Sequence, residues 1–220
     1  MSAIAAEALH LGIDEGQEIG ADLYVPDRAI GLVVFAHGSG SSRFSSRNRA
    51  VAESLQARGL GTLLADLLTR QEDSVDAFTT EYRFNIPLLG RRVVGITDWI
   101  KRQHHLEALP IGYFGASTGA AAALIAAAER PAVVRAVVSR GGRPDLAKPS
   151  LSLVKAPTLL IVGGHDEPVI EMNQDAMAAM THAQVELSIV PNATHLFEEP
   201  GTLEQVETLA ADWFVRYLPV

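Results

Sequence analysis

The sequence predicts an α/β protein: a mostly parallel central sheet with helices on both faces and an antiparallel hairpin at one edge. Three observations carry this reading. Short apolar runs such as Leu32-Val33-Val34-Phe35-Ala36 and Leu159-Leu160-Ile161-Val162 alternate with longer stretches of helical composition. A strand that is apolar on every residue is buried on both faces, as in a parallel sheet. The first two strand-like runs are instead joined by a short turn, which marks a hairpin. Finally, 220 residues with 48% apolar content suit one α/β domain spanning 1–220.

In chain order, Glu7 to Gly12 and Glu18 to Val25 read as strands joined through Asp14-Glu15-Gly16. Leu32 to Ala36 is a strand, and Asn48 to Arg58 a helix closed by Gly59. Thr62 to Ala65 is a strand and Arg91 to Gln103 a helix. Pro110 to Phe114 is a short apolar strand, followed by the alanine-rich helix Ala120 to Glu129. Val133 to Ser139 and Thr158 to Val162 are strands, Glu171 to Met180 a helix, Val185 to Val190 a strand, and Leu203 to Tyr217 a closing helix. The segment 67–90 is the least regular. It is long for a connection, which marks it as a small lid or a binding wall.

Between the strand ending at Phe114 and the helix beginning at Ala120 stands Gly115-Ala116-Ser117-Thr118-Gly119, a G-x-S-x-G turn. A sharp strand-to-helix turn lifts the serine hydroxyl above the sheet, and glycines are needed where a side chain would strike the neighbouring strand or helix. A serine hydroxyl needs a base to take its proton and an acid to orient that base. Asp166 lies just past the strand ending at Val162, and His195 just past the strand ending at Val190. The order Ser117, Asp166, His195 is that of the α/β-hydrolases. The oxyanion formed on attack needs fixed donors. The backbone N–H of Thr118 is one, and that of Ser39, in the loop His37-Gly38-Ser39-Gly40, is assigned as the other. Glu167 competes with Asp166 as the acid, and either could instead cap the following helix.

Composition sets limits. A net charge of −8 argues against a nucleic-acid partner. With no cysteine there is no disulfide, cysteine metal site or thiol nucleophile, which fits a reducing compartment. No secretory leader is evident in Met1 to Glu7, and Gly119 to Ala128 is too short to span a bilayer, so a cytoplasmic protein is expected. No metal-ligand pattern occurs, and neither metal nor cofactor is expected. Oligomeric state is not specified.

The chain resembles the dienelactone-hydrolase-like branch of the α/β-hydrolases, in particular a compact hydrolase found alone or joined to a phosphoribosyltransferase domain. The likeness rests on His37-Gly38-Ser39-Gly40-Ser41-Ser42-Arg43, Gly112 to Gly119, Ser139-Arg140-Gly141-Gly142-Arg143-Pro144-Asp145 and His195-Leu196-Phe197-Glu198-Glu199-Pro200-Gly201. It implies the hydrolase fold, a serine triad and carboxylic-ester chemistry on a small substrate. Dienelactone hydrolase proper uses cysteine where this chain has Ser117, so lactone specificity does not carry over. The phosphoribosyltransferase region has no counterpart here, so no nucleotide chemistry is implied.

Several arginines fall near the expected site. Arg43 or Arg140 contacts an anionic group on the substrate, or these arginines, with Arg47 and Arg143, pair with Glu198, Glu199 or Asp145 and brace the loops. Tyr82, Phe84 and Phe197 either line the acyl pocket or belong to the core. His37 is expected to brace the oxyanion loop, His165 to be a loop residue, and His10, His104, His105 and His182 to lie at the surface. The leading function is a serine hydrolase of a small ester, lactone or thioester. An acyltransferase with the same triad and a non-catalytic binding module are the alternatives. The serine argues against a haloalkane or epoxide hydrolase, which would place an aspartate there.

Overall fold

A computed structural model of the protein describes residues 6–14 and 16–219; Met1 to Ala5 of the N-terminal segment and Glu15 of the expected hairpin turn lie outside the described residues. The strands are β1 (Glu7–Asp14), β2 (Gln17–Tyr24), β3 (Leu32–Ala36), β4 (Gly61–Ala65), β5 (Ile111–Ala116), β6 (Val134–Arg140), β7 (Thr158–Gly163) and β8 (Val185–Val190). The helices are α1 (Ser46–Ala57), α2 (Arg70–Thr79), α3 (Ile86–Arg102), α4 (Thr118–Glu129), a short α5 (Lys148–Leu151) after a 3-10 turn at Pro144–Ala147, α6 (Glu167–Ala179) and α7 (Thr202–Tyr217).

The strands form one sheet in the order β1-β2-β4-β3-β5-β6-β7-β8. β1 and β2 pair antiparallel, β2 meets β4 antiparallel, and every other pairing is parallel. The expected fold class is therefore the observed one. Side-chain alternation divides β3 between two cores. Leu32, Val34 and Ala36 pack with α3 and α4, while Val33 and Phe35 pack with α1 and α7. All five residues are buried, which explains the unbroken apolar run. Among the described residues, no helix is long and apolar enough to cross a membrane.

The topology positions the site. After β3 the chain builds outward to β4, then returns to lay β5 on the other side of β3. At this reversal the loops leaving the carboxyl ends of β3 and β5 diverge and open a crevice. The loop His37 to Gly40 leaves β3 there, and Ser117 leaves β5.

The segment 67–90 is more ordered than expected. Thr69 and Glu72 form a reciprocal capping box that starts α2: the Thr69 hydroxyl accepts from the Glu72 N–H at 3.2 Å, and the Glu72 carboxylate accepts from the Thr69 N–H at 2.8 Å. α3 begins at Ile86 rather than Arg91, because the Asn85 side chain caps the Leu88 N–H and Pro87 sits in its first turn. α6 likewise begins at Glu167 rather than Glu171. α2 hardly joins the apolar core. Its one buried residue is Asp76, while Phe78 is 91% exposed. Ion pairs hold it instead: Glu72 with the buried Arg92 at 2.6 Å, and Asp76 with Arg83 at 2.5 Å. Burial works to raise the Asp76 carboxyl. The Arg83 N–H and guanidinium and the Tyr82 N–H outweigh it and hold the group below the usual carboxylate range.

Candidate active site

Ser117 sits between the last residue of β5 and the first of α4 with φ +50° and ψ −121°. This left-handed region costs a non-glycine residue about 1–3 kcal/mol and persists only where the surroundings enforce it. Here they do. The Ser117 N–H donates to the Arg140 carbonyl at 3.2 Å, and the Ser117 carbonyl accepts from the Ala120 and Arg143 N–H groups at 3.1 Å. The flanking glycines permit the turn. A β-carbon on Gly119 would stand inside the carbonyl oxygens of Ala36 and His37, and one on Gly115 would strike the Ala120 backbone. The Ser117 hydroxyl does not cap α4. It lies 3.4 Å from His195 Nε2.

The other face of the imidazole is fixed tightly. His195 Nδ1 is 2.6 Å from Asp166 Oδ2, so Nδ1–H donates to the carboxylate and leaves Nε2 free to accept. Asp166 occupies the N-cap position of α6, yet its side chain makes no cap bond. Its neighbour Glu167 is exposed. The loop carrying His195 is pinned by Glu199, whose carboxylate accepts from the Thr194 hydroxyl at 2.6 Å and from the Thr194 N–H at 3.1 Å. A β-carbon on Gly163 would intrude on the carbonyls of Ala193 and Thr194, so the loops carrying Asp166 and His195 pack backbone to backbone. Three side chains separated by 49 and 29 positions in sequence thus meet at the carboxyl end of the sheet.

Thr118 is buried at the start of α4, and Ser39 is exposed in the loop after β3. That loop lies close to Ser117, since a β-carbon on Gly38 would be 3.1 Å from Ser117 Cβ. His37 braces it. Its Nδ1–H donates to the Gly38 carbonyl at 2.9 Å, and its Nε2 accepts from the Leu67 N–H at 3.1 Å. Burial pushes His37 below the usual imidazole range, so the ring stays neutral and keeps this donor–acceptor arrangement.

The arginines separate into different roles. Arg143 pairs with Asp145 at 2.8 Å and Arg47 with Glu198 at 3.2 Å, which braces the loops. Arg43 pairs with Asp66 and, at 3.4 Å, with Asp22, two partners the sequence did not suggest. Arg140 is different. It is 5% exposed, its Nη2 donates to Asn48 Oδ1 at 3.1 Å, and its Nε has no partner. Among the described residues no carboxylate pairs with it. Burial, together with the nearby charge of Arg47, pushes its guanidinium down to about 10. Asn48 was not anticipated, because nothing in sequence marks a helical asparagine as the partner of an arginine 92 positions away.

A cavity of about 560 Å³ opens beside the loop after β3. Gly38 and Ser39 line it, but Ser117 and His195 do not. Tyr82, Phe84 and Phe197 are also absent from its walls. Phe197 is a core residue, 2% exposed, and Phe84 is 58% exposed. His10, His104, His105, His165 and His182 are all exposed.

A model of the dienelactone hydrolase family matches residues 19–218. A solved structure from Anabaena variabilis, a dienelactone hydrolase, is 55% identical and superimposes with a TM-score of 0.95 over 97% of this chain and 98% of that one. A Mycobacterium tuberculosis protein named putative phosphoribosyl transferase is 57% identical over 200 residues, covering 91% of this chain. The chain spans 44% of that relative, so it corresponds to about half of the longer protein. An esterase from Pyrococcus furiosus, 17% identical over 97% of this chain and 93% of its own, shares the fold at a TM-score of 0.80.

Proposed function

Because the chain belongs to the dienelactone hydrolase family, we propose that it is a serine hydrolase cleaving a small carboxylic ester, lactone or thioester through an acyl-enzyme. The observation that carries the proposal is the continuous contact from Asp166 through His195 to a serine in a strained turn. In this reading His195 Nε2 takes the Ser117 proton as Oγ attacks the carbonyl carbon. Asp166 keeps the imidazole in the Nδ1–H tautomer and stabilises the imidazolium. The Thr118 and Ser39 N–H groups receive the oxyanion. Collapse breaks the bond to the leaving group, which takes the proton from Nε2. Water, deprotonated by the same nitrogen, then attacks the acyl carbon and frees Ser117. A reaction that needs no thiol suits a chain without cysteine working in the cytoplasm.

The proposal extends to the charge of the substrate. Arg140 lies on the strand beside the nucleophile and carries a buried charge that no carboxylate among the described residues balances. An anionic group on the substrate would supply the missing partner. Arg43 takes the smaller part, since Asp66 and Asp22 already balance it. The segment 67–90 serves as a binding wall, because Leu68, Arg70, Asp76 and Arg83 face the cavity beside the oxyanion loop.

The test is labelling with a fluorophosphonate probe, followed by turnover of p-nitrophenyl acetate. Wild type should label and turn over, and Ser117→Ala should do neither. Equal labelling of both proteins would defeat the proposal. A product ester formed in preference to free acid when an alcohol is added would redirect it to acyl transfer.

A further inference from the structure

The cavity beside the oxyanion loop has a chemistry the reaction above does not use. Its volume, about 560 Å³, lies within the range of ligand sites. It adjoins the reacting centre, because Gly38 forms part of its wall and packs against Ser117. Its surface is mixed: Phe44, Leu68 and Leu89 supply apolar patches, and the rest is polar or charged. The Ser39 and Ser41 hydroxyls, the Arg43–Asp66 pair and the Arg83–Asp76 pair line it, and Glu18 and Asp73 face it from exposed positions.

Such walls discriminate among ligands. An alkyl chain would strip water from carboxylates, guanidinium groups and hydroxyls without replacing their hydrogen bonds. A second anion would find Arg70, but four carboxylates (Glu18, Asp66, Asp73 and Asp76) line the cavity against three arginines, and Arg43 and Arg83 are already neutralised by their partners. A neutral ligand with several hydroxyls fits both sets. Each hydroxyl donates to a carboxylate oxygen and accepts from a guanidinium or serine hydroxyl, and ion-paired carboxylates keep free lone pairs for this. Phe44, 56% exposed with the Arg43 guanidinium 4.2 Å from its ring centroid, adds a flat apolar surface at the edge.

We propose that this cavity is the subsite for the alcohol half of the substrate, and that it takes a neutral polyhydroxylated group such as a sugar or polyol. The inference rests on the serine-hydrolase reading. It is independent of Arg140, whose neighbours Asn48, Arg47 and Phe197 are not among the cavity residues.

Two measurements test it. The first compares kcat/KM for 6-O-acetylglucose, ethyl acetate and acetylcholine, with p-nitrophenyl acetate as the reference ester. The sugar ester should exceed ethyl acetate and acetylcholine by about tenfold or more, the worth of one or two well-placed hydrogen bonds. In Glu18→Trp, which fills the mouth from an exposed strand position, the ratio of sugar ester to ethyl acetate should fall towards one. The second is direct binding of methyl glucoside to Ser117→Ala protein by calorimetry, which needs no turnover. Binding that Glu18→Trp weakens in the Ser117→Ala background supports the subsite. Turnover of p-nitrophenyl acetate with no sugar preference and no methyl glucoside binding overturns the subsite and leaves the hydrolase reading standing. A preference for acetylcholine overturns it in favour of a cationic ligand. Failure of every ester refutes the hydrolase reading itself.

Discussion

Replacing Arg140 with methionine separates a substrate-binding arginine from a structural one. Burial, with Arg47 nearby, lowers the guanidinium from 12.5 to about 10. At 1.36 kcal/mol for each tenfold change in proton affinity, holding the charge there costs the native state about 3 kcal/mol. The single bond to Asn48 Oδ1 at 3.1 Å returns about 1.5–3 kcal/mol. The two nearly cancel, and methionine is flexible enough to fill the space of the alkyl stem. Arg140→Met should therefore change stability by no more than about 2 kcal/mol in either direction, or about 4–8 °C in a domain of this size. An arginine locked in a buried structural pair would instead cost about 3–5 kcal/mol on removal. Thermal unfolding followed by circular dichroism measures this contribution. Steady-state kinetics measures the other: kcat/KM for an ester with a carboxylate on its acyl chain should fall about 30-fold or more, the loss of one desolvated charge contact. The neutral ester of the same length should change only a few-fold. Wild type should also melt higher in the presence of the matching free dicarboxylate, as any ligand selective for the folded state requires. A drop of more than about 10 °C with equal losses for both esters would refute the assignment, since a melting shift of that size belongs to a structural role.

The remaining predictions follow from the triad, its turn and the loops that brace them. Asp166→Asn should lower kcat about 10⁴-fold with little change in melting, whereas Glu167→Gln should stay within a few-fold; equal effects would reassign the acid. Gly119→Ala drives a methyl into the Ala36 and His37 carbonyls, so it should lose more than about 3 kcal/mol in urea denaturation or fail to fold. His37 is held below its ordinary 6.5 by burial, so in the window beneath pH 6.5 the unfolded chain binds a proton that the folded one refuses. Stability should decline as pH falls through that window, and His37→Gln should flatten the decline in a melting series. Asp76→Asn removes the charge that gathers the Tyr82 and Arg83 N–H groups and the Arg83 guanidinium, so limited proteolysis within 70–85 should quicken while the rest of the chain stays protected.

Sheet and G-x-S-x-G turn were legible because both are written locally. Five consecutive buried residues in β3 leave an unbroken apolar run, and a turn whose two glycines face backbone leaves G-x-S-x-G. The partners of Ser117 were legible for a topological reason: in a parallel sheet the loops after successive strands emerge at one end, so strand position alone brings Asp166 and His195 near. α2 was missed although its signal was present. Thr69-Arg70-Gln71-Glu72 is a capping box, but the segment behind it buries a carboxylate rather than an apolar stripe, and periodicity is blind to a helix held by ion pairs.

The arginines show where local reading stops. Arg43, Arg47, Arg140 and Arg143 look alike in sequence, each in a loop or at a strand end near the site. What divides them is the carboxylate each reaches, at separations of 23, 151 and 2 positions for Arg43, Arg47 and Arg143, and none for Arg140 among the described residues. Charge compensation is set by packing, so composition registers an acidic chain with scattered cations and does not show which of these four arginines is buried without a carboxylate. The cavity follows the same logic. Its walls come from β1, β2, the loops after β3 and β4, α2, the turn before α3 and α3 itself, which meet only when the antiparallel edge folds onto the parallel sheet. A triad needs three residue types at strand ends and can be anticipated; the selectivity around it is assembled from segments distant in sequence and is visible only once they have closed.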